Sequence, residues 1–400
     1  MQLKNTYLLI ILLLLVHFSY KSSHNEPKQV VTNQLNQSIL PGAYNTKAYF
    51  PFLKDKRVAV VGNQTSEINV KHLVDTLLQH HINIVKVFAP EHGFRGQASA
   101  GEKVANSKDI KTGLPIISLY GKHKKPTPED LQDVDLIVFD IQDVGARFYT
   151  YLSTLHYVME AAAEQQKPLI VLDRPNPNSD YIDGPVLENN FKSFVGMHPV
   201  PIVYAMTIGE YARMINGEHW LKNGIQANLQ VIKIQNYKHG DVYKLPVKPS
   251  PNLPNYQAVR LYPSLCFFEG TDISVGRGTD FPFQVYGSPY LPPTNFSFVP
   301  KVNAGSKWPK HEGQVCYGED LRLITPPTEL YLKWLIKTYH QYPDKTKYFN
   351  KFFERLSGTI TLRTQIELGK SSQDIKKTWQ PALEKFKNIR QKYLLYKDFK

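Results

Sequence analysis

The chain has little cysteine. Its 400 residues include only Cys266 and Cys316. Two cysteines so far apart do not have the close ligand spacing of a zinc site. An exported protein could join them in a disulfide, and an unbonded buried pair is the alternative. The pattern therefore excludes a cysteine-rich scaffold and leaves the state of these two thiols open.

Several motifs for phosphate and acyl chemistry are also missing. The chain contains no G-x-G-x-x-G turn, no G-x-x-x-x-G-K-[ST] loop and no G-x-S-x-G elbow. These absences argue against a dinucleotide, against nucleotide hydrolysis and against serine-esterase chemistry. We therefore expect no cofactor. No nucleic-acid-binding motif is present either.

The N-terminal segment has the pattern of an export signal. Lys4 precedes an apolar run at residues 7–16, and the chain then turns polar. A membrane span needs about 20 apolar residues, so this run is typical of a signal peptide, with an uncleaved anchor as the alternative. We expect a signal peptide at 1–22, a flexible leader at 23–45, and a periplasmic or secreted protein without other stable membrane association.

The formal charge of +13 is concentrated near the C-terminus. A solvated lysine-rich surface is one explanation of this excess of positive charge. Attraction to an anionic polymer such as cell wall is the more specific alternative. The export signal argues against nucleic acid as the partner. The sequence indicates no particular oligomeric state.

Five short apolar runs separated by amphipathic segments predict an α/β fold with a parallel sheet covered on both faces. We place this domain at 46–200. Proline and glycine become frequent afterwards, and 201–400 is predicted to be a smaller α+β auxiliary domain that closes a cleft. The predicted strands are residues 57–61, 82–87, 114–119, 135–139 and 168–172.

Each predicted strand ends in a polar or turn-forming loop. Because ligands bind beyond the carboxyl ends of parallel strands, five such loops on one edge indicate a site. The polar side chains of these loops, in chain order, are Asn63, Gln64, Glu91, His92, Tyr120, Asp140, Gln142, Asp143, Asp173, Arg174 and Asn176.

Carboxylates, amides and aromatic rings together are typical of a carbohydrate site. Glu91, between Pro90 and Gly93, suits an acid whose pKa burial could raise. Asp143 lies where we predict the start of a helix through Phe148, so the helix dipole should keep it anionic. Glu91 and Asp143 are therefore our candidates for a catalytic acid and a permanently charged partner, with an ordinary helix cap as the alternative for Asp143.

Two arginines near this edge could clamp a ligand carboxylate. Arg147 and Arg174 are the candidates, and a salt bridge to Asp140 or Asp173 is the alternative for them. A metal site built from Glu91, His92, Asp140 and Asp143 is a further alternative. Since the order of these residues fits no known metal motif, we assign no metal.

Taken together, these loops resemble the bacterial exo-β-N-acetylmuramidases of the NamZ type, a family formerly known as a domain of unknown function. The resemblance runs from about residue 50 to the end of the chain. One departure is Ser99, where we expect the family to have Asp. The matching stretches include GNQTS (62–66), APEHGFRG (89–96), FDIQDVGARFYTY (139–151), LDRPNP (172–177), PSPNLP (249–254), FEGT (268–271) and GRGT (276–279).

The resemblance implies a Rossmann-like first domain without nucleotide, and a smaller second domain. It implies an exo-acting glycosidase that removes N-acetylmuramic acid from the non-reducing end of peptide-free peptidoglycan fragments, with Glu91 as the leading catalytic candidate. MurNAc-containing disaccharides and glycans would be its partners in cell-wall turnover and recycling. With the strand-end residues, it points to four further substrate-binding candidates: Arg95, Tyr149, Glu269 and Arg277.

The chemistry of muramic acid leaves some roles open. Its lactyl carboxylate could bind Arg147, Arg174 or Arg277. The partner of Glu91 could be Asp143, Glu269 or the 2-acetamido group of the substrate itself. A periplasmic amino-sugar-binding protein without catalysis and a metal-dependent hydrolase are the alternative functions.

Overall fold

The computed structural model describes residues 38–95 and 106–399. The predicted signal peptide, most of the predicted leader and Ser99 lie outside these residues. Within the described ranges, no helix combines the length and the apolar character that a membrane crossing requires.

A seven-stranded sheet organises the first half of the protein. Its order is β5-β6-β4-β1-β7-β8-β9, and every pair is parallel except β5 with β6. β2 and β3 form a separate hairpin. The strands are β1 (Val58–Gly62), β2 (Glu67–Ile68), β3 (Lys71–His72), β4 (Ile84–Ala89), β5 (Ser107–Lys108), β6 (Pro115–Ser118), β7 (Leu136–Asp140), β8 (Leu169–Leu172) and β9 (Leu229–Ile232).

A smaller antiparallel sheet follows in the second half. It consists of β10 (Val285–Ser288), β11 (Ser297–Phe298) and β12 (Cys316–Asp320), with β12 in the centre. A 3-10 turn at Cys266–Gly270 precedes it. The helices are α1 (Thr46–Leu53), α2 (Leu73–Gln79), α3 (Pro128–Leu131), α4 (Tyr151–Glu164), α5 (Ile208–Gly217), α6 (Tyr256–Leu265), α7 (Lys333–Gln341), α8 (Lys345–Tyr348), α9 (Phe353–Ser357), α10 (Thr361–Glu367) and α11 (Ser372–Gln391).

The main sheet separates two hydrophobic cores. Along β1, Ala59 and Val61 contribute to the core that includes α4, whereas Val58 and Val60 contribute to the core that includes α1 and α2. All four side chains are fully buried. Successive residues of a strand point to opposite faces, so a strand buried on both sides must be apolar throughout. The predicted α/β fold with a covered parallel sheet is confirmed.

Side chains cap the starts of two of these helices. At the start of α11, the Ser371 side chain accepts a hydrogen bond from the backbone N–H of Asp374. At the start of α2, the His72 side chain accepts a hydrogen bond from the backbone N–H of Val74, and Asn69 and Val70 in the preceding β2–β3 hairpin both have positive φ.

The main sheet continues past residue 200, because β9 pairs with β8 along four residues. From residue 38 onward the chain forms one compact unit. The division of the chain at residue 200 stays a prediction, and the sheet itself uses residues on both sides of it.

Candidate active site

Glu91 lies in a tight turn directly after β4. The backbone N–H of Gly93 donates to the carbonyl of Pro90 at 3.0 Å. His92 and Gly93 both have left-handed φ angles, 71° and 76°. Glycine adopts this region without strain, while a β-branched residue would not. The turn therefore holds Glu91 at the carboxyl edge of the sheet.

Two hydroxyl groups contact the Glu91 carboxyl. Thr150, just before α4, donates its Oγ1–H to Oε2 at 2.7 Å. The phenol of Tyr120, which follows β6, also hydrogen-bonds to this carboxyl, and burial together with the charge of Glu91 raises the pKa of that phenol. Tyr120 thus remains a protonated donor at neutral pH. Both contacts fix the direction in which the carboxyl points.

Glu91 faces a cleft of about 700 Å³. A smaller pocket of about 60 Å³ adjoins the cleft and shares part of its lining, including Glu91, Thr150 and Arg277. Binding sites for small ligands usually combine apolar walls with a few placed polar groups. The cleft is lined by such a set, in which the principal side chains are Glu91, Tyr120, Lys124, Phe148, Phe194, Tyr262, Glu269, Arg277, Lys307, Trp308 and Phe352.

A second carboxylate and its guanidinium partner stand in the same cleft. Arg277 Nε lies 3.2 and 3.1 Å from the two oxygens of Glu269. Burial lowers the pKa of Arg277, whereas the Glu269 carboxylate, together with Tyr262 and Cys266, raises it, and the net pKa is raised. Both side chains remain about one quarter exposed, at 27% for Glu269 and 23% for Arg277. The pair can therefore meet a ligand.

Aromatic rings form much of the remaining wall. The Lys124 ammonium lies 4.7 Å from the centroid of the Phe194 ring. Trp308 is 85% exposed although it lines the cleft. A large apolar ring that is open to solvent at a binding site can stack on the apolar face of a ligand.

Six of the predicted site residues line the cleft or its side pocket: Glu91, His92, Tyr120, Tyr149, Glu269 and Arg277. The other predicted residues do not line the cleft or the pocket. Their side chains contact other parts of the protein around the strand ends.

Asn63 and Gln64 fix a distant loop against the sheet. Asn63 donates to the Tyr151 hydroxyl at 2.9 Å, and Tyr151 donates to the carbonyl of Pro249 at 3.2 Å. Gln64 and Tyr149 also donate to this carbonyl, at 3.1 and 2.8 Å. The PSPNLP loop is thereby anchored over the end of β1.

Arg174 is not a ligand clamp, contrary to the first of the two predictions for it. Its guanidinium bonds both oxygens of Asp140, at 2.6 and 2.8 Å, and both residues are buried. Asp173 accepts from Thr207, Gly209 and Tyr396. Burial, opposed in part by the Tyr396 hydroxyl, raises the pKa of Asp173 to about 7. The hydrogen bonds of Arg174, Asp140 and Asp173 are thus made within the protein, and none of these three residues lines the cleft.

Arg147 is also occupied by the protein itself. Its terminal nitrogens donate to the carbonyls of Pro185, Val200, Leu356 and Ser357 at 2.7 to 3.0 Å. It is 2% exposed, and burial lowers its pKa to about 9. Arg147 therefore joins segments that are more than 200 residues apart in the chain. The prediction that it binds a ligand carboxylate is wrong for this geometry.

Asp143 differs from its prediction in two ways. The helix after it begins at Tyr151, not near Gly145, so no helix N-terminus adjoins its carboxyl. Asp143 is buried away from the cleft and accepts hydrogen bonds from the Tyr204 hydroxyl and the Gly145 backbone. Burial outweighs these bonds and raises its pKa to about 6. Asp143 is thus not the permanently charged group that we expected.

Three further candidates have structural partners. Gln142 donates to the carbonyls of Asp143 and Pro175 at 2.7 Å each. Asn176 donates to the carbonyl of Met206 at 2.9 Å. Arg95 forms an ion pair with Asp109 at 2.8 Å. They support the loops around the site.

Some residues of the site were not predicted. Thr150 lies inside the FDIQDVGARFYTY stretch, and Asn252 and Leu253 lie inside PSPNLP, but neither stretch indicates which side chain faces the cleft. Phe283 ends the stretch 276–283, which also resembles the family, and Trp308 has no local signal. Cys266 and Cys316 are unbonded and buried. Among residues 38–95 and 106–399, no three His, Cys, Asp or Glu side chains cluster closely enough to hold a metal ion.

Similarity to known proteins shows to which family this chain belongs. A family model for the N-terminal part of the exo-beta-N-acetylmuramidase NamZ matches residues 58–257, and the model for its C-terminal part matches residues 260–396. The chain belongs to the NamZ family. The resemblance found in the loops is thereby confirmed, and so is the predicted glycosidase class.

Individual relatives are similar to this chain over most of its length. The peptidoglycan beta-N-acetylmuramidase NamZ of Bacillus subtilis is 42% identical over 367 residues, which cover 86% of this chain and 88% of that protein. Two crystal structures of DUF1343 family proteins from Bacteroides fragilis are similar. One has a TM-score of 0.85 at 45% identity and the other 0.76 at 30%, each covering 90% of this chain and 99% of its own.

Proposed function

We propose that this protein is an exo-acting glycosidase that releases N-acetylmuramic acid from the non-reducing end of peptide-free peptidoglycan fragments. Family membership supports the reaction class. The observation that carries the assignment to a site is the position of Glu91, whose carboxyl is held by Thr150 and Tyr120 at the junction of the cleft and its side pocket.

In this proposal Glu91 protonates the glycosidic oxygen as the bond breaks. General acid catalysis of this kind contributes about 10²–10⁴-fold to rate. The two hydroxyl donors leave the carboxyl oriented toward the cleft. The cleft is large enough for a disaccharide to enter. The glycosidic oxygen of the bound sugar could then accept the proton of the Glu91 carboxyl.

Glu269 replaces Asp143 as the proposed second carboxylate. Among the described residues that line the cleft, within 38–95 and 106–399, the carboxylates are Glu91 and Glu269. A glycosidase places its second acid on the other side of the scissile bond, where it stabilises positive charge or directs the nucleophile. Arg277 orients Glu269 through its Nε. In this proposal the terminal nitrogens of Arg277 bind the lactyl carboxylate of the substrate.

We further propose that the protein acts outside the cytoplasm. The apolar run after Lys4 supports export, and peptidoglycan fragments are found in the same compartment. Detection of the processed protein in a periplasmic or culture-medium fraction would test this part separately.

Chromatography of free N-acetylmuramic acid released from a MurNAc-GlcNAc disaccharide tests the proposed function. Release of the monosaccharide is the expected result. Measurable binding without release would instead favour an amino-sugar-binding protein. Activity that a chelator abolishes and a divalent ion restores would favour a metal-dependent hydrolase.

A further inference from the structure

Lys310 carries a half-buried positive charge that has no direct part in the proposed reaction. Its ammonium donates hydrogen bonds to three backbone carbonyls, those of Phe268 and Ile273 at 3.1 Å each and that of Thr271. An ammonium has three N–H donors, so these three bonds satisfy it completely. The acceptors precede Lys310 by 37 to 42 residues, so the contact joins two distant parts of the chain.

The three carbonyls belong to the turn that presents Glu269 to the cleft. Residues 268–273 curve around the ammonium, because acceptors at both ends of this segment meet at one nitrogen. Phe268, Thr271 and Ile273 are at most 1% exposed, so water cannot readily replace the ammonium as their donor. The shape of this turn therefore depends on a charge from outside it.

Lys310 also belongs to the loop that carries Trp308. Residues 305–308 of this loop line the cleft. The loop packs closely on the turn before β10, because a Cβ added to Gly278 would lie 2.6 Å from Pro309. The ammonium thus ties the segment that contains Trp308 to the segment that contains the second proposed carboxylate.

We propose that Lys310 is a positioning residue, whose ammonium holds residues 268–273 in the shape that directs the Glu269 carboxylate into the cleft. The inference rests on the proposed function, in which Glu269 is the second carboxylate. Without the ammonium, the three carbonyls would turn toward other donors, and Glu269 would move with the turn. A displacement of a reacting group by about 1 Å can lower turnover about 10²-fold, so the loss of Lys310 should be visible in kcat.

A double-mutant cycle between Lys310→Met and Glu269→Gln tests this role. The kcat is measured as release of N-acetylmuramic acid from a MurNAc-GlcNAc disaccharide, with every variant folded at the assay temperature. Methionine has a similar length but neither charge nor donors, and glutamine keeps an acceptor for Arg277. Lys310→Met should lower kcat about tenfold in the wild-type background and less than about twofold in the Glu269→Gln background, because it acts through a carboxylate that is already missing there.

Lys345 offers a matched control. Its ammonium also donates to three backbone carbonyls, those of Tyr339, His340 and Tyr342, at 2.5 to 2.7 Å. None of these four residues lines the cleft or its side pocket. Lys345→Met therefore removes the same kind of contact elsewhere and should leave kcat at the wild-type value.

An unchanged kcat for Lys310→Met would overturn the proposal, and so would an equal loss in both backgrounds or an equal loss for Lys345→Met. Full activity of Glu269→Gln would overturn it as well, because Glu269 would then have no part in the reaction. If Lys310→Met does not fold, Lys310→Gln, whose amide keeps two N–H donors, replaces it in the cycle with the same expectations. Failure of the wild-type protein to release N-acetylmuramic acid would refute the proposed function instead.

Discussion

Asp143→Asn should change how stability depends on pH. Burial raises the pKa of Asp143 to about 6, from 3.8 for an ordinary aspartate. The folded state therefore favours the protonated carboxyl. This contribution to stability is fully present below the unfolded pKa and is lost as the pH rises through about 6. Above that pH, the folded protein carries a buried charge that the unfolded chain keeps in water.

The size of the effect follows from the shift. About two pKa units at about 1.4 kcal/mol each give on the order of 3 kcal/mol between acidic and neutral pH. Asparagine stays neutral at every pH, and its oxygen can accept the bonds from Tyr204 and Gly145. The free energy of unfolding of Asp143→Asn, minus that of wild type, should therefore increase by on the order of 3 kcal/mol from pH 4 to pH 8.

Urea unfolding followed by tryptophan fluorescence, at several pH values for both proteins, measures this difference. Groups other than Asp143 titrate in both proteins and cancel. The new Nδ2 of the asparagine changes the free energy of unfolding by an amount that does not depend on pH. The test therefore uses the change of the difference between the two proteins with pH, and not its absolute value. A difference that stays within about 1 kcal/mol over this pH range would refute the argument from burial.

Three other substitutions test separate parts of the site. Thr150→Val removes the hydroxyl that orients Glu91 and should lower kcat about tenfold at nearly unchanged KM, measured as release of N-acetylmuramic acid. Arg174→Met leaves the buried Asp140 carboxylate unpaired and should lower the free energy of unfolding by about 3–5 kcal/mol in urea titrations. Trp308→Ala removes an exposed ring of the cleft and should raise KM several-fold with kcat within about twofold. The opposite pattern, a kcat loss for Trp308→Ala or a KM change alone for Thr150→Val, would contradict these roles.

The main sheet could be predicted because its strands are apolar on both faces. The runs that become β1, β4, β6, β7 and β8 are short, bounded by polar residues and separated by amphipathic segments. β9 gives a weaker signal, since Leu229–Ile232 includes a glutamine and lies only partly buried at the sheet edge. Its place in the sheet depends on pairing with β8, sixty residues earlier, which no local pattern shows.

The edge that carries the site could be predicted, but not which of its side chains face a ligand. Strand periodicity places Asp140 and Arg174 at neighbouring strand ends, where they could bind a ligand or each other. The structure pairs them, because two buried opposite charges stabilise each other where either alone would be costly. Glu269 reaches Glu91's cleft from a 3-10 turn far along the chain, and its place depends on tertiary packing that only the family resemblance anticipated.

The most direct test of the role of Glu91 compares Glu91→Gln with Glu384→Gln. Glutamine keeps an oxygen for the Thr150 hydroxyl, but its amide N–H protons are not acidic enough to be transferred to a leaving group. Glu384 is an exposed residue of α11, so its substitution controls for the loss of a carboxylate elsewhere. With thermal unfolding unchanged for both, we expect the kcat for release of N-acetylmuramic acid to fall about 10³-fold in Glu91→Gln and to stay at the wild-type value in Glu384→Gln. A folded Glu91→Gln protein that retains more than a tenth of the wild-type kcat would contradict the account.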